Sequence, residues 1–257
     1  MWKSSYSLYN WKWHIINLNH ELGLKEDEIK VPTEIPFECN DCVISVACSN
    51  RFSLILTGNS EVYGSGSNDY NQFGVSQSIL STFTKLPFQN IGSISCGGGH
   101  IIALNHYGEV LGSGNNEQGQ IASGELVQPN IHKINGLPPI KSVSCGISST
   151  YCIDENGYLW SFGANRYLQL GVKTEDTYSS VPLQVTRVNN ISAISSGGWH
   201  CFIKDTDDII YVCGNNSHHQ LGFSAYSPDI DLTIFANPYC EDIFGSHKYS
   251  KYKSARN

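Results

Sequence analysis

Few residues in this chain have the types and spacing that chemistry would need. Cys39-Asn-Asp-Cys42 has the two-residue spacing with which a pair of thiolates can hold a zinc ion or cycle through a disulfide. Zinc needs two more ligands, from a second such pair or from a spaced histidine pair. His218 and His219 are adjacent rather than spaced, so they do not complete a set. Cys96-Gly-Gly-Gly-His100 has the glycine content of a phosphate-cradling loop. It lacks the Gly-Lys-Ser/Thr that grips phosphate and magnesium, and no helical pattern follows it. His100 and His200 are of the type used as general bases or metal ligands, but such a role needs converging partners. No Ser/His/Asp set and no carboxylate pair stands apart from the rest. The expectation is a protein without covalent catalysis, cofactor or metal.

What positions these residues is a repeat. Ile44-Ser-Val-Ala-Cys48, Ile91-Gly-Ser-Ile-Ser-Cys96, Ile140-Lys-Ser-Val-Ser-Cys145 and Ile191-Ser-Ala-Ile-Ser-Ser196 are four versions of one strand. Each is followed by a hairpin, then by a glycine, an Asn two residues on and a Gln six residues beyond that Gly: Gly66/Asn68/Gln72, Gly114/Asn116/Gln120, Gly163/Asn165/Gln169 and Gly214/Asn216/Gln220. Both marker series drift in step with a period near 50, as a propeller or solenoid of strand-rich units requires. Hairpin turns of Asn, Asp and Gly separate the second and third strand of each unit.

Equivalent positions are dispersed around the ring of such a repeat, so His100 and His200 are expected to pin hairpins through backbone hydrogen bonds. Cys48, Cys96 and Cys145 share one slot and should stack as small apolar side chains about one axis. Gly97, Gly146 and Gly197 follow that slot and are read as structural. So are Gln72, Gln120, Gln169 and Gln220, which with their Asn partners can satisfy loop backbone groups.

The ends carry complementary halves of a unit. Asn17-Leu-Asn-His-Glu21-Leu22-Gly23 matches a late part, with Glu in the Gln slot and Trp11–Ile15 as its strand. Ile243-Phe-Gly-Ser-His247 matches an early part. The expected organisation is one domain over 1–257. Its repeats lie near 43–90, 91–139, 140–190 and 191–242, and residues 10–42 and 243–250 share a further blade, which would remove exposed sheet edges.

Cys96-Gly-Gly-Gly-His100, Tyr107-Gly108-Glu-Val110 and Gly114-Asn-Asn116-Glu-Gln-Gly-Gln120 resemble the repeat of the RCC1 (regulator of chromosome condensation) family, and Cys145-Gly146, Asn156-Gly157 and Gly163-Ala-Asn165…Gln169-Leu170-Gly171 fit it too. Val46-Ala-Cys48 and Ser196-Gly-Gly-Trp199-His200 look most like the secretion-regulating guanine nucleotide exchange factor-like members. The resemblance implies an all-β propeller, here of about five blades: four full repeats and one shared by the termini. The family usually closes seven. It implies a protein-interaction scaffold or regulator, with two alternatives: a guanine nucleotide exchange factor for a small GTPase, or a chromatin-associated adaptor. No counterpart of the family's nucleotide-displacing wedge is visible.

Composition bounds the partners. With 16 Lys and Arg against 23 Asp and Glu the net charge is −7, which argues against a general nucleic-acid-binding surface. The tail His247-Lys-Tyr-Ser-Lys-Tyr-Lys-Ser-Ala-Arg256 is the one basic run. Nine cysteines, an odd number, with three in one repeat slot, suit a reducing compartment. No apolar leader or membrane-length run is present, so a cytoplasmic or nuclear monomer is expected. Binding specificity is expected in the linkers Val75–Phe88, Ala122–Leu137, Val172–Val188 and Phe223–Phe235. The last is the candidate partner-binding loop, with Phe223, Tyr226, Asp229, Asp231 and Phe235. Exposed, it is an interaction patch; packed under a neighbouring blade, it is a strut.

Overall fold

The computed structural model describes residues 15–16, 28–29, 35, 37, 41–123, 127–222 and 229–235, and all regular structure among them is strand. β1 (Ile15–Ile16) pairs with β2 (Glu28–Ile29). Sixteen further strands form four antiparallel four-stranded sheets in simple meander order. The first blade is β3 (Val43–Cys48), β4 (Phe52–Thr57), β5 (Val62–Ser67) and β6 (Ile79–Lys85). The second is β7 (Ile91–Cys96), β8 (His100–Asn105), β9 (Val110–Asn115) and β10 (Val127–Lys133). The third is β11 (Ile140–Cys145), β12 (Ser149–Asp154), β13 (Leu159–Ala164) and β14 (Tyr178–Gln184). The fourth is β15 (Ile191–Ser196), β16 (His200–Asp205), β17 (Ile210–Asn215) and β18 (Asp229–Ile234).

The core lies between blades, because each sheet buries one face against the next. Phe52, Leu54, Leu56, Val62, Phe73 and Leu86 of the first blade meet Ile91, Ile94, Ile101 and Ala103 of the second. Tyr151, Ile153 and Leu170 meet Ile191, Cys201 and Ile203 across the third junction. Each such fully buried aliphatic or aromatic side chain contributes about 1.5–3 kcal/mol. The inner strands pack in series about one axis: β3 on β7, β7 on β11, β11 on β15.

The outer strands correct the reading of the linkers. Each linker holds a fourth strand, β6, β10, β14 or β18. These strands pair on one side only, and where their side chains are described they are exposed or half-buried apart from Leu80 and Leu232, so no alternating apolar pattern marks them. Pro182 sits in β14, where an edge strand tolerates a missing donor. In the candidate loop, Asp229 and Asp231 therefore lie on β18. Phe235 is buried against Phe202, ring centroids 5.9 Å apart, so it is core and is removed from the contact surface. Phe223 and Tyr226 lie outside the described residues.

The cysteine slot also needs correcting. Cys145 is buried, Cys96 half-buried and Cys48 exposed. Cys145 has described blades on both sides, whereas Cys48 belongs to the first blade and is covered from one side only. All seven described cysteines are free. Of the segments expected to share a blade, 10–42 holds β1 and β2 among the described residues, and 243–250 lies outside them. Among the described residues no helix is long and apolar enough to cross a membrane.

Candidate protein-binding face

The turns between the first and second strands of the four blades converge at one end of the axis. Cys48–Asn50, Cys96–Gly98, Cys145–Ile147 and Ser196–Gly198 line a cavity of about 120 Å³ there. The turns are tied in series by backbone hydrogen bonds. Gly98 N–H donates to Ile147 O at 2.8 Å, and Ile147 N–H donates to Gly198 O at 3.0 Å. Below them the Ser95 hydroxyl accepts from Cys145 N–H at 3.0 Å, and the Ser144 and Ser196 hydroxyls meet at 2.6 Å. Burial, with Cys145 and Cys48 alongside, pushes the Cys96 thiol up; burial takes Cys145 to about 12. Neither is a nucleophile at neutral pH.

His100 and His200 stand directly beneath these turns. A Cβ on Gly97 or Gly197 would collide with the imidazole below it, so the slot needs glycine for close approach. His100 is fully buried and reaches into the next blade, with Nε2 3.2 Å from Thr150 Oγ1. The single Thr150 hydroxyl proton goes to Gln120 O at 2.7 Å, so Nε2 carries the proton and donates to Thr150. Nδ1 has no partner among the described residues. Burial lowers the His100 pKa to about 3, so the ring is neutral. His200 is half-buried, packs its ring against Phe202, and is lowered by burial too. Phe52 and Ser149 occupy the slot in the other two blades.

The Asn and Gln marks serve their own loops. Asn68 Oδ1 accepts from Phe73 N–H, while Nδ2 donates to Val75 O and Gln77 O. Gln72, Gln120, Gln169 and Gln220 each accept, through Oε1, from the N–H two residues before them. Turn residues Asp154 and Asp205 cap the opposite ends of the blades by accepting from Asn156, Tyr158, Asp207 and Ile209 N–H groups. These bonds tie the side chains to their own turns and loops; Gln169 Nε2 alone of this set is buried without a partner among the described residues. No cluster of three His, Cys, Asp or Glu side chains suited to a metal occurs among the described residues.

What does face outward is aromatic and charged. Tyr70 packs its ring over Gly99 of the next blade. Tyr167 makes the same reach from third to fourth blade and meets Trp199 edge-on, centroids 5.7 Å apart. All three rings are half-buried, as is Ile147 between them. Arg51, paired with Asp69 at 2.5 Å, and the exposed Arg166, Glu117 and His218 lie on the same turns and Asn/Gln loops in sequence. Half-exposed Tyr and Trp within a charged rim have the composition of a protein-binding patch. The long linkers were the expected contact surface, and the sequence did not single out this patch. The available signal was Trp199 and Ile147 at turn positions where the second blade has only glycine.

Residues 156–203 match the Regulator of chromosome condensation (RCC1) repeat, and residues 43–72, 140–169 and 191–220 match a second description of the same repeat. The Ultraviolet-B receptor UVR8 of Arabidopsis thaliana is 27% identical over 234 residues, covering 85% of this chain and 52% of the receptor. The human X-linked retinitis pigmentosa GTPase regulator is 31% identical over 155 residues, 57% of this chain and 15% of that protein. Prp20p of Saccharomyces cerevisiae, whose structure was described with its binding to Gsp1p and histones, superposes with a TM-score of 0.77 at 19% identity, covering 85% of this chain and 56% of Prp20p. The chain thus spans about half or less of the length of these proteins.

Proposed function

Because the chain belongs to the RCC1-repeat family, we propose that it is an interaction scaffold. It binds a protein partner through the face where the four inner-strand turns converge, and it catalyses no covalent reaction. The observation that carries this reading is the Tyr167–Trp199 pair, half-buried at the rim of the axial cavity, with Tyr70, Ile147 and Arg51 on the same face. Aromatic anchors of this kind dominate interface energetics. Of the residues that first suggest chemistry, His100 is committed to joining its blade to the next and His200 packs against Phe202 of its own blade.

Trp199→Ala is expected to lower stability by only about 1 kcal/mol, the worth of an edge-on ring pair. It should weaken partner binding by about 2 kcal/mol or more, roughly 30-fold. Thermal melts and a binding titration read the two effects separately. A melt shifted as much as the binding would make Trp199 a structural residue.

Nucleotide exchange on a small GTPase is the second reading, favoured by the GTPase-regulator relative. Purified small GTPases loaded with fluorescent nucleotide separate the two. The scaffold reading expects binding without faster release, and accelerated release would replace it with exchange activity. A chromatin adaptor acting through residues 247–257 would instead show steeply salt-dependent binding that vanishes with that tail.

A further inference from the structure

The repeat Gln of every blade holds its amide in one orientation. Oε1 accepts from the N–H of Tyr70, Gln118, Tyr167 or His218, two residues back. Nε2 is thereby turned toward the last residue of the third strand, and three blades meet it with an oxygen. Gln120 Nε2 donates to Asn115 Oδ1 at 3.2 Å and Gln220 Nε2 to Asn215 Oδ1 at 2.6 Å. Gln72 Nε2 donates to the Ser67 carbonyl oxygen at 2.6 Å. In the second and fourth blades a backbone donor converges on the same side-chain oxygen. Glu117 N–H reaches Asn115 Oδ1 at 2.7 Å, and Ser217 N–H reaches Asn215 Oδ1 at 3.2 Å.

The third blade departs from this pattern. Its third strand ends in Ala164, which brings no side-chain oxygen. Gln169 is fully buried, and its Nε2 has no partner among the described residues. Arg166 N–H, the counterpart of Glu117 N–H and Ser217 N–H, loses the same acceptor. A buried donor without an acceptor is unfavourable. The slot reaches the surface: Asn115 is 8% exposed and Asn215 half-buried, so an oxygen can arrive from outside. The charge of the adjoining loop changes in the same blade. Where the other blades have Asp69, Glu117 and Ser217, the third has Arg166, exposed and without an ion pair among the described residues.

We propose that this slot is a carboxylate-binding site for an acidic side chain of the protein partner. Gln169 Nε2 and Arg166 N–H donate to one carboxylate oxygen, in the place that Asn115 Oδ1 and Asn215 Oδ1 take in the neighbouring blades. The Arg166 guanidinium supplies the opposite charge. Hydrogen bonds from N–H groups to an ionised carboxylate are stronger than those to a neutral amide, which selects an acid over other acceptors. Tyr167, next to Arg166 in the chain, meets Trp199, so the site adjoins the aromatic patch. It rests on the reading of that face as protein-binding and adds the chemistry of what binds there.

NMR of the nitrogen-15-labelled whole chain tests this with small probes. The probe is N-acetyl-aspartate N-methylamide, which carries its carboxylate on a side chain. Its asparagine analogue, N-acetylglycine and sodium chloride are the comparisons. The Gln169 side-chain amide and the Arg166 backbone amide should shift saturably with the aspartate probe, roughly tenfold more tightly than with the asparagine analogue or chloride. The Gln120 and Gln220 side-chain amides should not move. Ala164→Asn places the neighbouring blades' oxygen in the slot and should weaken the probe roughly tenfold while keeping the melting temperature. Should Ala164→Asn melt lower, Arg166→Ala decides by the same loss of binding, since Arg166 is exposed. Absence of a saturable shift, equal binding of the asparagine analogue, or unchanged binding in these variants would overturn the proposal. Tighter binding of N-acetylglycine would assign the site to a chain end and overturn the side-chain assignment. The probes report on this site without the partner, and the Trp199→Ala titration reports on the partner without the probes, so the two readings fail separately.

Discussion

Gly163→Ala is expected to be among the most destabilising single-methyl changes available in this protein. Gly163 has φ of +103° at its place in β13, and a Cβ there would lie 2.5 Å from the Ser148 carbonyl oxygen. Backbone strain of about 1–3 kcal/mol and a clash with backbone of similar size act together. The expected cost is about 3–5 kcal/mol, a fall in Tm of about 10 °C for a chain of this size. The same geometry recurs at Gly66, Gly114 and Gly214, with φ of +110°, +106° and +107°. Gly136→Ala is the control, because its φ is +83° but its Cβ would meet only Pro182, at 3.9 Å. It should cost about 1 kcal/mol. Equal melts for the two variants would show that close approach to the neighbouring turn is not what the repeat glycine provides.

His100 gives the second large effect, and pH exposes it. His100→Ala removes a buried hydrogen bond and leaves Thr150 without its donor, for about 1–3 kcal/mol at neutral pH. Acid then separates it from any ordinary core residue. The folded pKa of about 3 lies below the ordinary value of 6.5, so as pH falls the unfolded chain takes up the proton first. Stability from neutral His100 is complete above 6.5, declines as pH drops below it, and stops declining near 3. By pH 4.5 the loss is about 2–3 kcal/mol, at 1.36 kcal/mol per pH unit. His100→Phe, which borrows the Phe52 residue of the same slot, should lack this decline while keeping the remaining acid sensitivity of the fold. Parallel curves of stability against pH for wild type and His100→Phe would refute a neutral, buried ring.

The all-β propeller was legible because each unit repeats the same signals: an Ile-to-Cys strand, a hairpin turn, a positive-φ glycine and the Asn/Gln loop. Inner and middle strands are buried, and burial writes a pattern into sequence. The outer strands β6, β10, β14 and β18 were hidden in what read as linkers, since a strand with one solvated edge and at most a single buried residue, such as Leu80 in β6 or Leu232 in β18, needs no alternation. Phe235 looked like loop decoration and is core for the same reason: it follows an outer strand too polar to be recognised. The proposed binding face was harder still. Tyr70 and Tyr167 read as loop residues, and only the blade-to-blade packing places them beside Gly99 and Trp199. Sequence periodicity puts residues in equivalent slots, but it does not say which slots meet across a junction.

Affinity capture from cell extract followed by quantitative mass spectrometry tests the scaffold claim most directly, using wild type, Trp199→Ala and Tyr107→Ala. Tyr107 is 74% exposed on a turn at the opposite end of the second blade. The account predicts a protein captured by wild type and by Tyr107→Ala, and lost with a Trp199→Ala variant that still melts within a few degrees of wild type. Capture that survives Trp199→Ala and is lost with Tyr107→Ala would contradict it, and would move the binding surface to the other end of the propeller.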